Sequence, residues 1–210
     1  MQARSVADIP EEELVRELFS DPMCQAWIAP GDLELDHRAA FSVSLRSLVT
    51  TSPQPEGDVD LLLARPSLPE RATAIQLKRV KIAHQSYREG RANKLKKIPR
   101  LAQQTNLLVD LGFHRVCAVI LVVVDSRALG GPNPFFNTTP PAVVRQLRDE
   151  YAAAGFHELV SVAQVEICQP FDRDYRHTGS TGGKLLQPGG RQLQPPDLSD
   201  AVARVLTSAC

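Results

Sequence analysis

No run of this chain is long and apolar enough to cross a bilayer as a helix. The longest, Val116 to Val124, is nine residues, where ~20 are needed. The first residues, Met1-Gln2-Ala3-Arg4-Ser5, lead into acids rather than an apolar segment, so no secretory signal is expected. Cysteine is sparse, and Cys24, Cys117, Cys168 and Cys210 form no Cys-x-x-Cys pair, which argues against a structural zinc site. Cys117 and Cys168 lie in apolar runs, the usual place of a buried free thiol. A reducing, cytoplasmic setting fits that usage. His37, His84, His114, His157 and His177 are scattered, with neither His-Glu-x-x-His nor zinc spacing. There is no Gly-x-Ser-x-Gly elbow for a serine hydrolase. Residues 178–185 look like a phosphate loop, but Thr178 stands where the first glycine belongs and Leu185 where a magnesium-binding hydroxyl belongs. Internal repeats are absent as well.

Net charge is also missing, since 24 Lys and Arg balance 24 Asp and Glu. The balance hides a lopsided distribution. Residues 1–36 carry nine acids against Arg4 and Arg16, while residues 76–104 carry nine bases against Glu89 alone. A basic stretch in a neutral protein suits a polyanion on one face, or an acidic segment of the same chain lying against it.

What remains is ordinary globular material, 43% hydrophobic and 23% charged over 210 residues, enough for one domain with elaborations. Leu14, Val15, Leu18 and Phe19 mark one stripe of a short helix over Glu11–Phe19. Alternating Phe41, Val43 and Leu45 suggest a half-exposed strand. Asp58–Ala64 and Thr73–Ile82 read as two strands of a hairpin, joined through Pro66 and Pro69, which exclude a helix. Leu101, Thr105, Leu108 and Val109 give a helical face between Pro99 and Gly112, residues suited to a helix start and end. Arg115–Val124 is continuously apolar and β-branched, the mark of a strand covered on both faces. A helix from Thr139-Pro140 to Gly155 and a strand over Glu158–Ile167 follow. Residues 170–196, rich in Gly, Pro and Gln, read as a long loop or a segment ordered only by contacts, with a terminal helix over Ser199–Leu206. The order predicts an α/β domain with a mixed central sheet flanked by helices. Residues 1–170 are expected to form that domain and 171–210 a C-terminal extension.

The chemistry concentrates between Asp58 and Lys78. Side chains alternate along a strand, so Gln76 and Lys78 share a face and Leu77 points into the core. If the hairpin pairs as read, Asp60 on the neighbouring strand faces the same way. A carboxylate, an amide oxygen and a lysine aimed at one point suit a hard divalent cation held against a phosphate. The plainer alternatives are a strand-edge acid in solvent, a lysine that snorkels or simply pairs with Asp60, and a strand amide facing water.

Gly57-Asp58-Val59-Asp60-Leu61-Leu62 followed by Ile75-Gln76-Leu77-Lys78-Arg79 resembles the PD-(D/E)xK nuclease superfamily, whose core is restriction-endonuclease-like, in a Gln-x-Lys variant. The resemblance covers about residues 10–125. It implies a magnesium-dependent (or manganese-dependent) nuclease hydrolysing DNA phosphodiesters, with Asp60, Gln76 and Lys78 catalytic and Asp60, Gln76 and an acid of the first helix as metal ligands. Glu11, Glu13 and Glu17 compete for that last place, with Glu11 best aligned. Gln76 departs from the family's second acid and weakens a site that depends on carboxylates. Position 59 is Val instead of Pro. The basic flank, Arg79, Lys81, Arg88, Arg91, Lys94, Lys96, Lys97 and Arg100, would lie beside the scissile phosphate, and Gln104 matches a helix glutamine used by one branch of the family. Cutting both strands of a duplex would suit a homodimer. Two rivals stand beside the nuclease: a non-catalytic nucleic-acid-binding module on the same fold, and a domain that only binds a protein partner.

Overall fold

The strand Arg115–Asp125 (β4) is the middle of the molecule, and its side chains divide the core in two. Val116, Ala118, Ile120, Val122 and Val124 join one buried cluster, while Cys117, Val119, Leu121 and Val123 join the other. That division is why the sequence there is apolar without alternation. The structure, a computed structural model, describes residues 9–20, 37–49, 57–83, 86–87, 89–125, 139–169 and 180–208. The expectations that fall on Arg88, His84, His177, Cys24, Cys210 and Thr178 lie outside these residues, as do the side chains of Glu17 and Cys168.

The chain opens with helix α1 (Glu11–Ser20), then β1 (Arg38–Ser44) and a single turn, α2 (Leu45–Leu48). Strands β2 (Asp58–Arg65) and β3 (Leu68–Ile82) form the expected hairpin, and a 3-10 turn (Leu95–Lys97) runs into α3 (Ile98–Asp110). After β4 come α4 (Pro141–Ala153), β5 (Val160–Gln169), β6 (Ser180–Gln187) and α5 (Pro196–Ser208). The six strands lie in sequence order in one sheet. β1, β2 and β3 are antiparallel, β3, β4 and β5 are parallel, and β6 returns antiparallel to β5. An antiparallel meander passing through one helix into a parallel strand is the restriction-endonuclease-like core arrangement expected from the sequence.

Among the described residues, four helices lie on one face of the sheet and one on the other. Residues of α2, α3, α4 and α5 join the first cluster, whereas α1 supplies Leu14, Val15 and Leu18 to the second. Both crossover helices, α3 and α4, lie on one face, as right-handed connections between strands added in one direction require. Gly112 (φ +88) and Gly155 (φ +70) follow the ends of α3 and α4, in the left-handed conformation that favours glycine there. Among the described residues no helix is long and apolar enough to cross a membrane.

The reading of residues 170–196 as loop needs correction, because Ser180–Gln187 is the edge strand β6. Its paired glycines and polar residues hid a strand whose order comes from pairing with β5. The next residues are held by side chains instead. Gln192 Nε2 donates to the carbonyls of Val109 (2.8 Å) and Phe113 (3.1 Å). Gln194 Nε2 donates to the Pro69 carbonyl (2.9 Å), and its Oε1 accepts from His114 N (3.2 Å). These two amides tie the terminal segment to the far end of the β2–β3 hairpin and to the end of α3.

Gly189 marks the tightest approach in this segment. A Cβ there would run into the backbone of Ser161 and lie 2.7 Å from the Leu159 carbonyl oxygen, whereas one at Gly182 would meet nothing within 4 Å. Neither obstacle is a side chain that can swing away. Gly189→Ala is therefore expected to lower unfolding stability by about 1–3 kcal/mol, and Gly182→Ala by less than about 0.5 kcal/mol, as measured by urea denaturation.

Candidate active site

Strands β2 and β3 pair from Arg65 and Leu68 to Leu61 and Ile75, where their register ends. Beyond that point β2 continues against β1 as far as Asp58, and β3 continues against β4 as far as Ile82. The sheet therefore opens between its second and third strands. Further along, Lys81 pairs with Asn93, exchanging bonds of 3.2 Å and 2.7 Å, so a different segment takes over the edge of β3. The notch between these pairings is where the sequence placed its candidate residues.

Asp60 reaches into the notch. Its Oδ2 accepts a 2.7 Å hydrogen bond from the Leu77 N–H, so a carboxylate stands where a carbonyl of a continuing ladder would be. The reason lies in a reversal of both neighbouring strands. Leu61 and Phe41 pack on the α1 face, yet Val59 and Val43 belong to the opposite cluster. Residues two apart on a regular strand share a face, so β1 and β2 turn over between them. The register Phe41↔Leu61 and Val43↔Val59 brackets Ser42 opposite Asp60, and Ser42 has φ +52. A left-handed serine costs about 1–2 kcal/mol, and it sits where the turn-over frees Asp60 from the alternation.

On β3 the alternation is intact. Ala74, Val80 and Ile82 join one cluster and Ile75 and Leu77 the other, which puts Gln76 and Lys78 on a common face, as expected. Gln76 is buried at 2% exposure, and its Nε2 donates to the Asp58 main-chain carbonyl. Its amide nitrogen is thus committed to β2, leaving Oε1 as the end able to meet a cation. Lys78 is half-buried.

Arg79 departs from its expected place. The sequence places it in the basic flank beside the scissile phosphate, but it is 6% exposed and lies under the start of α1. Its Nη1 donates to the Ile9 carbonyl, and its Nε stands 3.9 Å from Glu11 Oε2. Glu11 is thereby drawn toward the site. Glu13 is half-buried on the same helix.

The charges at the notch act on one another. Burial pushes the Asp60 carboxyl above its ordinary value. The Leu77 N–H and Lys78 pull it down, Glu11 and Asp58 push it up, and the net direction is upward. Burial likewise lowers the Lys94 ammonium, helped by Arg79, Lys97 and Lys78 and opposed by Glu11. Asp58, not singled out in the sequence, is part of this field through both its charge and its carbonyl. No sequence signal marked that carbonyl, because any residue carries one.

The donors here are oxygens: the carboxylates of Asp60 and Glu11 and the amide oxygen of Gln76. Among the described residues there is no cluster of three or more Asp, Glu, His or Cys able to hold a metal. The set fits magnesium, which keeps several waters and takes one or two carboxylates plus a substrate phosphate. It does not fit zinc, which favours nitrogen and sulfur.

The rest of the basic stretch is partly neutralised. Arg91 stands 3.4 Å from Glu89. Lys94 and Lys96 line a cleft of 530 Å³ shared with Asp149 and Glu150 of α4. Lys97 and Arg100 are exposed, and Lys81 is half-buried beside its Asn93 bridge. Gln104 is half-buried on α3, and its Oε1 finds no hydrogen-bond partner among the described residues.

No protein-family model matches the chain, and no curated protein sequence matches it significantly. Among solved structures, Pyrococcus furiosus SfsA in complex with Ca2+ aligns with a TM-score of 0.21 and 13% identity, over 68% of this chain and 54% of that one. The chain thus spans about half the length of that protein. The fold assignment rests on the strand order and pairing.

Because the folded protein holds the Asp60 proton more tightly than the unfolded chain, stability from this group is complete below the ordinary carboxyl pKa of 3.8. It is lost as pH rises through the elevated folded value. Asp60→Asn keeps an acceptor for the Leu77 N–H and removes the buried charge. The variant is expected to melt above the wild type at neutral pH, with the gap closing as pH falls toward 4 in metal-free thermal melts.

Proposed function

We propose that this chain is a divalent-metal-dependent nuclease that hydrolyses DNA phosphodiester bonds, a Gln-x-Lys form of the PD-(D/E)xK superfamily. What supports this reading is the opened edge between β2 and β3, where Asp60 accepts from the Leu77 N–H, between Gln76 and Lys78 in sequence, and feels the charges of Lys78 and Glu11. Asp60, Glu11 and the Gln76 Oε1 would hold magnesium or manganese. When bound, the ion lowers the pKa of a water and offsets charge on the phosphate.

Asp60 must be ionised to serve as a ligand; burial opposes that charge, the Leu77 N–H and Lys78 favour it, and a bound cation would tip the balance toward it. Lys78 lies on the Gln76 face of β3 and is placed to orient the attacking water or to stabilise the phosphate oxygens. Lys97 and Arg100, exposed at the start of α3, supply backbone contacts that position DNA without reading its sequence.

A second reading is a DNA-binding module of the same fold that does not cleave. The Gln76 amide favours it, because that group is buried and already bonded to Asp58, and an uncharged ligand weakens a magnesium site.

Purified protein incubated with plasmid DNA and magnesium or manganese is expected to nick or linearise it. Lys78→Ala and Asp60→Ala should each reduce the rate by about a hundredfold or more. Cleavage that persists in both variants would sink the nuclease reading. The binding module predicts salt-sensitive DNA retention without cleavage in any divalent ion. Gln76→Glu tests the site from the other side: a nuclease short of one carboxylate should cleave faster, by about tenfold, and a pure binding module should stay inert.

A further inference from the structure

We propose that Arg79 is a positioning residue that docks the first helix so that Glu11 stands beside Asp60, and that it makes no contact with DNA. This rests on the nuclease reading for its metal-binding part. Arg79 adjoins Lys78 in sequence and resembles the other cations of the stretch, but strand alternation turns it to the opposite face of β3, the face that α1 covers. There it is 6% exposed, and Ile9, whose carbonyl it bonds, is fully buried. One guanidinium therefore bonds the main chain two residues before the helix, at Ile9, and faces a first-turn carboxylate at ion-pair distance, with Nε 3.9 Å from Glu11 Oε2 and not hydrogen-bonded to it. A planar guanidinium fixes its Nη1 donor on the carbonyl while its delocalised charge faces the carboxylate, and a lysine ammonium on a flexible stem fixes neither.

The apolar stripe of α1, Leu14, Val15 and Leu18, fixes the helix against the second core cluster. It does not determine where along the sheet the first turn sits. That is set by Arg79, which holds the turn over the opened end of β3. The consequence reaches the notch: Glu11 acts electrostatically on both Asp60 and Lys94, so it lies within range of the candidate ligand and of the basic segment. Arg79 thus brings an acid from α1 to a site otherwise built from strands. It also limits the negative potential that Glu11 adds beside Asp60.

The test combines metal binding, DNA binding and helix protection in Arg79→Met, Arg79→Lys, Glu11→Gln and the Arg79→Met/Glu11→Gln double variant. Titration with Mn2+ should show about a tenfold loss of affinity in Arg79→Met, the size expected when a ligand's support is removed. Glu11→Gln should lose a similar amount, and the double variant no more than the larger single loss. Arg79→Lys tests the fork with the charge kept, and it serves if Arg79→Met does not fold. It should recover less than half of the lost affinity on a logarithmic scale. DNA binding measured in Ca2+ across a salt series should keep its slope in every Arg79 variant, and the amides of residues 14–20 should exchange faster with solvent.

A salt slope that falls by about one with Mn2+ affinity unchanged would make Arg79 a phosphate contact and overturn the proposal. Additive losses in the double variant would overturn it too, because Arg79 would then act independently of Glu11. If the wild type binds no Mn2+, the nuclease reading fails. The docking claim is then decided by exchange alone, and unchanged protection of α1 in Arg79→Met refutes it.

Discussion

A hydrogen bond from the Leu77 main chain to the Asp60 carboxylate holds the candidate site together. Where β2 leaves β3, the edge of the third strand presents main-chain groups that the ladder no longer satisfies, and unpaired buried groups of that kind are costly. Asp60 supplies the missing acceptor. The same act draws a carboxylate out of water and into a gap between strands, beside Glu11 and Asp58, which raises its proton affinity. The structure therefore trades a backbone requirement against an electrostatic one. A cation, Lys78 or a bound divalent metal, relieves the second without disturbing the first.

That arrangement depends on the layers around it. β4 and β5 extend β3 as a parallel platform, with β4 buried on both faces, and α3 crosses from the notch to β4. The glutamines of the terminal segment tie down the far end of the hairpin, so the open end of the sheet faces a well-anchored closed one. Among the described residues the other face carries one helix, α1, seated by its apolar stripe, with Arg79 bonded to the Ile9 carbonyl just before it.

Several parts of this picture were legible in the residues. Strand periodicity put Gln76 and Lys78 on one face and Leu77 in the core. The apolar run of β4 gave its burial on both sides, and Gly112 and Gly155 gave the helix ends. Each is a local property, set by a residue and its near neighbours. Arg79 was misplaced for the opposite reason. Its partner carbonyl lies 70 positions away in the chain, and nothing in a basic stretch distinguishes a buried guanidinium from an exposed one. The strand β6 was hidden because its two glycines and polar residues carry little strand signal, and the neighbouring β5 supplies the order.

The sequence by itself determined the alternation of β3, the two-sided burial of β4, the order of elements and the presence of an acid, an amide and a lysine in the right segments. The tertiary structure decided that Asp60 turns into the gap between strands, that Gln76 commits its nitrogen to Asp58, and that Glu11 is brought near them. Periodicity fixes the direction of a side chain only while a strand stays regular. At Ser42 and Asp60 two strands turn over together, and only the packing of both faces determines where that happens.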